Sequence, residues 1–354
     1  DPTAVVNPFF RLAPAWGLYP LVALATAASI IASQALISGA FSLTVQAMQL
    51  GYLPRLDIRH TSSDQHGQVY LPLVNAALLV SCLWVLAEFR SSGRLAAAYG
   101  IAVTLCMLTT TILFYPVARR LWGWSVVRAG GLCALFLVVE LGFLSANAAK
   151  ILHGGWLPLA LAGVVLAVMR TWRRGRARLA EYVEQRRLPL DLFLKEMARV
   201  RPHRAPGTAI YMSGDEQGVP IALLHNFKHN RVVHERVVVL TLRTADRPYV
   251  SSSDRVTWEA LREGFHRVTA SFGFMETPAI GETLSACRAR GLDIAVPEST
   301  FFLSRETLVI TNSPGFARWR KRLFAFLARN AQPVTAFFGL PANRVVELGV
   351  QIEI

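Results

Sequence analysis

Oxygen-bearing side chains interrupt the long apolar stretches in the first half of the sequence, and they are the residues best suited to bind a cation. Ser33 and Ser38 lie in the first stretch; Tyr99 and Thr104 lie in the third, with Gly100 beside the tyrosine. Hydroxyl and carbonyl oxygens suit a hard monovalent cation, and glycine permits an irregular or unwound turn that exposes carbonyl groups. We therefore predict an ion path in which Tyr99 is the first candidate metal ligand.

These polar residues also have a structural explanation. Serine and threonine in apolar helices form interhelical hydrogen bonds worth about 0.6 to 2 kcal/mol each, and a tyrosine can be a packing or interfacial aromatic. Glu140 is the carboxyl group most central to an apolar stretch. It could carry a proton along the ion path, or it could be paired structurally. We favour the structural role, although the sequence does not identify the partner of Glu140.

The composition shows which elements must position these residues. The chain has 354 residues, of which 53% are hydrophobic and 17% are charged, whereas an ordinary soluble domain has about 25% charged residues. Nine of the 37 Lys and Arg residues precede residue 170, so most of the charge lies in the second half. The first half therefore has the composition of a segment that meets lipid.

Five segments are apolar and long enough to cross a bilayer as helices, for which about 20 residues suffice. They are residues 19–50, 71–89, 95–117, 126–149 and 154–169. A soluble core large enough to bury five such helices in succession is not plausible for this length. We predict an α-helical transmembrane bundle, with the lipid bilayer as its principal partner.

The orientation of the bundle follows from its arginines, which favour the cytoplasmic side. Loops on one predicted side contain Arg55, Arg59, Arg119, Arg120 and Arg128, and the same side continues into Arg170, Arg173, Arg174, Arg176 and Arg178. The opposite side has four basic residues, namely Arg11, Arg90, Arg94 and Lys150. We expect the C-terminal half to be cytoplasmic.

That half has two parts. Residues 171–205 are predicted to form a basic amphipathic linker, broken near Pro189. Residues 206–354 alternate strand-like and helical segments, which indicates a small α/β or α+β domain. The predicted strands are Thr208–Met212, Val237–Leu242, Phe301–Ile310 and Val345–Ile354, and the predicted helices are Pro220–Asn230, Ile280–Arg290 and Phe316–Asn330.

The absence of several short motifs argues against some classes of function. The sequence contains no nucleotide-binding glycine loop, no HExxH or GxSxG and no nucleic-acid motif, so we expect neither an enzyme nor a nucleic-acid partner. A membrane-bound enzyme with its active site in the tail is one possible function, but the tail shows no constellation of a nucleophile and a base. No cofactor is predicted.

Several long blocks in order along the chain resemble one family. They are ASQALISGAFSLTVQAMQLGYLPRLDIRHTS, GQVYLPLVN, AAAYGIAVT, FGFMETP, TFFLSRETL and FFGLPANRVVELGVQIEI, which are similar to the Kup (HAK/KUP/KT) potassium uptake permeases. The resemblance implies a secondary transporter of the APC superfamily, with a LeuT-like fold, that couples potassium entry to proton entry across the inner (cytoplasmic) cell membrane.

The resemblance also implies an incomplete set of spans. The family has about twelve spans before its cytoplasmic tail, and this chain corresponds to spans eight to twelve with the tail. Tyr99 then falls in the tenth span at a cation-facing position; Thr104 is a weaker extension, and Ser33 and Ser38 are candidates by proximity. A potassium channel or a regulatory membrane subunit is the alternative, although no TVGYG-like filter is present. The strand-like ending VVELGVQIEI suggests a homodimer.

Overall fold

The structure is a computed structural model that describes residues 8–11, 13–60, 69–311 and 317–353. Its contacts divide the chain into two compact units, which are Asp1–Asn75 with Thr171–Ile354, and Ala76–Arg170. Phe316 and Ile354, where a helix was predicted to begin and a strand to end, lie outside the described residues.

The first half of the chain is mainly helical. Its elements are α1 (Pro8–Arg11), α2 (Leu18–Gln49), β1 (Arg59–His60), β2 (Val69–Tyr70), α3 (Pro72–Phe89), α4 (Ser92–Arg120), α5 (Val126–Ala148) and α6 (Trp156–Gln185). Helices α2 to α6 are each long and apolar enough to cross a membrane, so the predicted number of five such helices is confirmed. Strands β1 and β2 form a short antiparallel pair.

Local sequence determines where the central helices begin. Ser91 and Ser125 precede α4 and α5, and each serine oxygen accepts a hydrogen bond from the backbone N–H three residues later. This is the usual N-cap arrangement, which satisfies a helix N–H that has no partner within the helix. Most apolar side chains of α2, α3 and α6 are exposed, as expected of helices that meet lipid or further helices.

The C-terminal region is an α/β domain. Its elements are α7 (Leu190–Val200), β3 (His203–Ser213), α8 (Ile221–Asn230), β4 (Val232–Ala245), β5 (Val256–Ala260), β6 (Phe265–Gly273), α9 (Ile280–Ala289), β7 (Ser299–Val309), α10 (Arg318–Arg329), α11 (Val334–Phe337) and β8 (Val345–Glu353). The sheet order is β5-β6-β4-β3-β7-β8; β5 is antiparallel to β6, and the other neighbouring strands are parallel. The chain thus builds outwards from β3 in both directions, as in doubly wound folds.

Apolar side chains on both faces of the central strands form two hydrophobic cores, one on each side of the sheet. Val237 and Val239 belong to one core, whereas Val238 and Leu240 belong to the other. Because successive side chains of a strand point to opposite faces, both faces of β4 are buried. Helices α7 and α8 cover one face, and α9 packs on the other. These two layers identify the domain as α/β rather than α+β.

Two parts of the architecture differ from the sequence predictions. Helix α6 does not end at residue 169 but continues to Gln185, so the first part of the predicted linker belongs to this helix. Strands β5 and β6 were not predicted, because VTWEA and FHRVTASFG mix polar and apolar residues without a long apolar run. The four strands that were predicted correspond to β3, β4, β7 and β8.

Candidate functional site: a polar seam between two apolar helices

Helices α4 and α5 pack against each other through a row of polar side chains, which we call the α4–α5 seam. It consists of Thr104 and Thr111 on α4 and of Glu140 and Asn147 on α5. Thr104, Thr111 and Glu140 are buried, and Asn147 is half-buried. The seam lies entirely within the unit Ala76–Arg170.

The first layer of the seam joins Thr104 to Asn147. The Asn147 Nδ2 group donates a hydrogen bond to Thr104 Oγ1 at 3.2 Å, and the threonine hydroxyl donates to the backbone oxygen of Gly100 at 2.6 Å. A Cβ atom on Gly100 would lie 2.8 Å from Asn147 Oδ1. Glycine therefore allows the asparagine to approach the α4 backbone closely. The two helices are held together at this point by a chain of hydrogen bonds.

The second layer joins Thr111 to Glu140. Thr111 Oγ1 donates a 2.7 Å hydrogen bond to Glu140 Oε1, and Cys133 Sγ lies 3.7 Å from the backbone oxygen of Thr111 as a weak donor. Glu140 Oε2 is buried and has no hydrogen-bond partner among the described residues. Glu140 thus has the structural partner that the sequence did not identify.

The spacing of the seam explains its register. Thr104 and Thr111 are seven residues apart, as are Glu140 and Asn147. The earlier residue of α4 pairs with the later residue of α5, and the later with the earlier. The helices are therefore antiparallel, and a seven-residue step keeps each polar side chain on the contact face, as in coiled coils. The layers are separated by about 10 Å along the helix axes. Thr111 and Asn147 were missed as site residues, but this shared spacing could have identified them.

The structure does not bring Tyr99 and Thr104 together. Helix α4 is continuous from Ser92 to Arg120, so the unwound turn expected at Gly100 does not form, and the glycine instead accommodates Asn147. In a regular helix, residues five apart point about 140° away from each other. The Tyr99 side chain is 70% exposed on the face away from the seam, whereas Thr104 is only 4% exposed. A shared cation site of these two hydroxyls is therefore not formed.

The remaining candidates lie on α2, in the other unit. Ser33 and Ser38 are both exposed, and the backbone oxygen of Ser38 accepts a hydrogen bond from the Ser42 hydroxyl at 3.0 Å. Within the described ranges, no three His, Cys, Asp or Glu side chains are grouped in a way that could hold a metal ion. Ser33, Ser38 and Tyr99 are thus all exposed on the helices that carry them.

A second polar contact connects the loop after α2 to the C-terminal region, within the unit that contains both. Arg173 Nη1 of α6 donates a 2.6 Å hydrogen bond to the Tyr52 hydroxyl, and the backbone N–H of Gln332 donates a 2.7 Å bond to the Arg55 oxygen. Burial lowers the pKa of Arg55, nearby Arg176 lowers it further, and Glu306 has the opposite effect. Hydrogen bonds at Tyr52 and Arg55 thus connect the loop to α6 and to the C-terminal region.

Comparison with known proteins places these features in one family. The family model described as the K+ potassium transporter integral membrane domain matches residues 1–177, and the K+ potassium transporter C-terminal domain matches residues 206–354. A probable potassium transport system protein Kup from Myxococcus xanthus is 53% identical over 357 residues, covering 100% of this chain and 54% of that protein.

Two further relatives give the same result. A protein with the same name from Bdellovibrio bacteriovorus is 48% identical over 360 residues, with 100% of this chain and 54% of that protein covered. Kup 2 from Chromobacterium violaceum is 49% identical over 354 residues, with 100% of this chain and 57% of that protein covered. The chain spans about half the length of the curated relatives that it matches.

Proposed function

The chain belongs to the Kup family of potassium transporters, and from this membership we propose that it forms part of a protein that takes up potassium across the cytoplasmic membrane. The observation that carries the proposal is collinear similarity, because two potassium-transporter family models match in order along the chain. Five apolar helices followed by an α/β domain are the physical counterpart of these two matches.

We propose that uptake is coupled to protons, as a K+/H+ symport. An inside-negative potential contributes about 2.3 kcal/mol per unit charge per 100 mV, and a co-transported proton adds a second charge to the same step. Two charges moving together can therefore accumulate potassium from dilute surroundings. In this mechanism the protein is a secondary active transporter and requires no bound cofactor.

The proposed arrangement in the membrane is an APC-type, LeuT-like bundle with the C-terminal domain on the cytoplasmic side of the inner membrane. Two observations support this side for the domain. Arginines are concentrated just after the apolar run of α6, at Arg170, Arg173, Arg174, Arg176 and Arg178. The contact between Arg173 and Tyr52 also requires that loop to lie on the same side as the C-terminal part of α6.

Within this arrangement we propose different roles for the polar residues. Tyr99 remains the candidate potassium ligand, because its exposed side chain can face another helix of the transporter. Ser33 and Ser38 remain candidates for the same reason, since both are exposed on α2. Thr104 and Glu140 act as structural partners in the α4–α5 seam, since each is buried and hydrogen-bonded there. Their contribution to transport is to hold α4 in place.

We also propose that the protein is a homodimer that associates through the C-terminal domain. Strand β8 is at the edge of the sheet, paired only with β7 among the described strands. The unpaired backbone groups of a nine-residue edge strand can form hydrogen bonds with a second copy. Cross-linking of the reconstituted chain through a cysteine introduced in β8 tests this, and a product only of monomer mass would contradict it.

The transport proposal is tested with a chimaera that joins this chain to the part of the Myxococcus xanthus relative that it does not cover. We expect the chimaera to restore growth at low potassium to cells that lack their own uptake systems. We also expect rubidium uptake that collapses when a protonophore is added. Uptake that persists without a proton gradient and follows the membrane potential alone would favour a channel, and no uptake by a correctly inserted chimaera would contradict the proposal.

The role of Tyr99 is tested in the same chimaera. Tyr99→Phe removes only the hydroxyl, and we expect the KM for potassium to rise by about fivefold, the effect of losing one polar ligand. Tyr115→Phe is the matched control, because Tyr115 is also an exposed tyrosine of α4. An unchanged KM in Tyr99→Phe would remove Tyr99 from the site.

A further inference from the structure

Helix α10 has an unusual composition for a helix of a soluble domain. Its twelve residues, RWRKRLFAFLAR, include five basic residues and no acidic residue. Lys321, Phe324 and Ala325 are buried, and the Lys321 ammonium group donates a 2.8 Å hydrogen bond to the backbone oxygen of Thr311. The face of α10 that carries these three residues therefore packs against the rest of the protein.

A second, exposed face of α10 combines arginines with aromatic side chains. Arg318, Arg322 and Arg329 are exposed, and Trp319 and Phe326 are 53% and 57% exposed. At about 100° per residue, these five side chains occupy one arc of roughly 100°. Tryptophan and arginine on one face of an amphipathic helix are typical of a surface that lies among lipid headgroups.

The position of α10 relative to the membrane supports the same partner. The ring of Phe324 packs on Trp172 and directly on Gly175 of α6, where any side chain would overlap with it. Gly175 is five residues beyond Arg170, the first charged residue after the apolar run of α6. At 1.5 Å per residue this is about 8 Å, which is close to the depth of a headgroup layer.

The loop after α2 gives a second estimate of how far α10 lies from the membrane boundary. Tyr52 is three residues beyond the end of α2, yet it is hydrogen-bonded to Arg173, on the turn of α6 that precedes Gly175. Gln332, three residues after α10, is hydrogen-bonded to Arg55 in the same loop. The loop after the C-terminal end of α2 and the turns of α6 after its apolar run are therefore both in contact with α10 or its C-terminal flank, which puts α10 next to the proposed membrane boundary.

We propose that the face of α10 formed by Arg318, Trp319, Arg322, Phe326 and Arg329 binds anionic phospholipid headgroups of the cytoplasmic leaflet. The arginines pair with headgroup phosphates, and the two aromatic side chains enter the interface beside them. This contact anchors the C-terminal domain to the bilayer near the ends of α2 and α6. The inference depends on the proposed membrane arrangement but not on the transported ion.

The test uses the whole chain in nanodiscs that contain phosphatidylcholine and phosphatidylglycerol in a 3:1 ratio. A photoreactive benzoylphenylalanine replaces Trp319 or Phe326, and in a matched control it replaces Val346, which is 39% exposed at the start of β8. We expect lipid adducts at positions 319 and 326, enriched in phosphatidylglycerol beyond its share of the lipid, and none at position 346. Peptide adducts instead of lipid, from a second copy or another segment of the protein, would overturn the proposal.

A charge variant tests the headgroup preference. The combined changes Arg318→Gln, Arg322→Gln and Arg329→Gln should lower the ratio of phosphatidylglycerol adducts to phosphatidylcholine adducts by about fivefold or more, since each basic residue at an anionic surface contributes roughly this factor. The control is Arg231→Gln, Arg262→Gln and Arg344→Gln, which removes the same charge from exposed residues that precede β4, β6 and β8. Equal enrichment in the two triple variants would contradict the proposal, and neither measurement requires transport activity.

Discussion

Glu140 Oε1 accepts a 2.7 Å hydrogen bond from the Thr111 hydroxyl, and both side chains are buried between α4 and α5. Within an apolar helix pair, this bond gives the carboxyl group a structural reason to be there. The bond also explains why α4 has a threonine at position 111, where it faces α5. The bond makes Thr111 a sensitive position for testing how the two helices are held together.

We predict that Thr111→Val destabilises the α4–α5 pair by about 1 kcal/mol, because valine keeps the shape of threonine but leaves the buried carboxyl oxygen without its donor. Thr110→Val is the control, since the exposed Thr110 hydroxyl donates only to the backbone oxygen of Cys106. Thermal unfolding in detergent, followed through labelling of the buried Cys133 with the other cysteines replaced, measures the difference. Equal transition temperatures for the two variants would contradict the assignment.

We predict that Gly100→Ala also destabilises the pair, because the new methyl group would lie 2.8 Å from Asn147 Oδ1 and force the asparagine away from Thr104. Gly93→Ala, on the same helix, meets no atom within 4 Å and should be neutral or slightly stabilising. The same Cys133 labelling assay compares them. Adding Asn147→Ala to Gly100→Ala should leave little further loss, since the bond is already broken; a full additive loss would argue against this contact.

The seam shows how far the sequence could predict the site. Glu140 and Thr104 stood out because polar groups are rare in apolar runs, and both lie in a buried polar contact. Their partners could not be identified from either helix alone, because a pairing depends on the register between two helices; only the seven-residue spacing that both helices share pointed to Thr111 and Asn147. Tyr99 illustrates the opposite difficulty, since its type suggested a shared site with Thr104 but the regular helix directs the two side chains to different faces.

In the fold as well, features set by local sequence were predictable, whereas features set by contacts between distant segments were not. Five apolar helices were predictable because a bilayer imposes a long, uniform apolar pattern. Strands β3, β4, β7 and β8 were predictable from their apolar runs, whereas β5 and β6 were not, because their side chains are only partly apolar. The sheet order could not be predicted, since it depends on contacts between strands distant in the sequence.

The packing of α10 on α6 predicts a steric effect at Gly175. Gly175→Ala would make a methyl group overlap with one edge of the Phe324 ring, and overpacking of this kind costs about 1–3 kcal/mol. Gly163→Ala on the same helix meets no atom within 4 Å and is the matched control. Labelling of the buried Cys287 during thermal unfolding reports on the domain. Restoration of stability by an added Phe324→Leu would confirm that the ring is the cause, and no rescue would refute it.

The C-terminal domain should lose stability in mild acid because of two histidines in its central strands. Burial lowers the pKa of His234 and of His266, and nearby Arg236 lowers the pKa of His266 further. In both rings, Nδ1 is buried without a hydrogen-bond partner among the described residues. The folded domain therefore resists the protonation that these side chains undergo in the unfolded chain near pH 6.5.

The sign follows from proton linkage. Because the folded pKa of each ring lies below its unfolded value, the unfolded state binds more protons between the two, so stability is complete above about pH 6.5 and falls as the pH is lowered through this range. Hydrogen exchange of peptides from β4 and β6, corrected for the intrinsic pH dependence of amide exchange, should show weaker protection at pH 5.5 than at pH 7.5. His234→Gln combined with His266→Gln should flatten this dependence. If the double variant keeps the full slope, other groups must cause the acid sensitivity, because the two imidazoles have then been removed without effect.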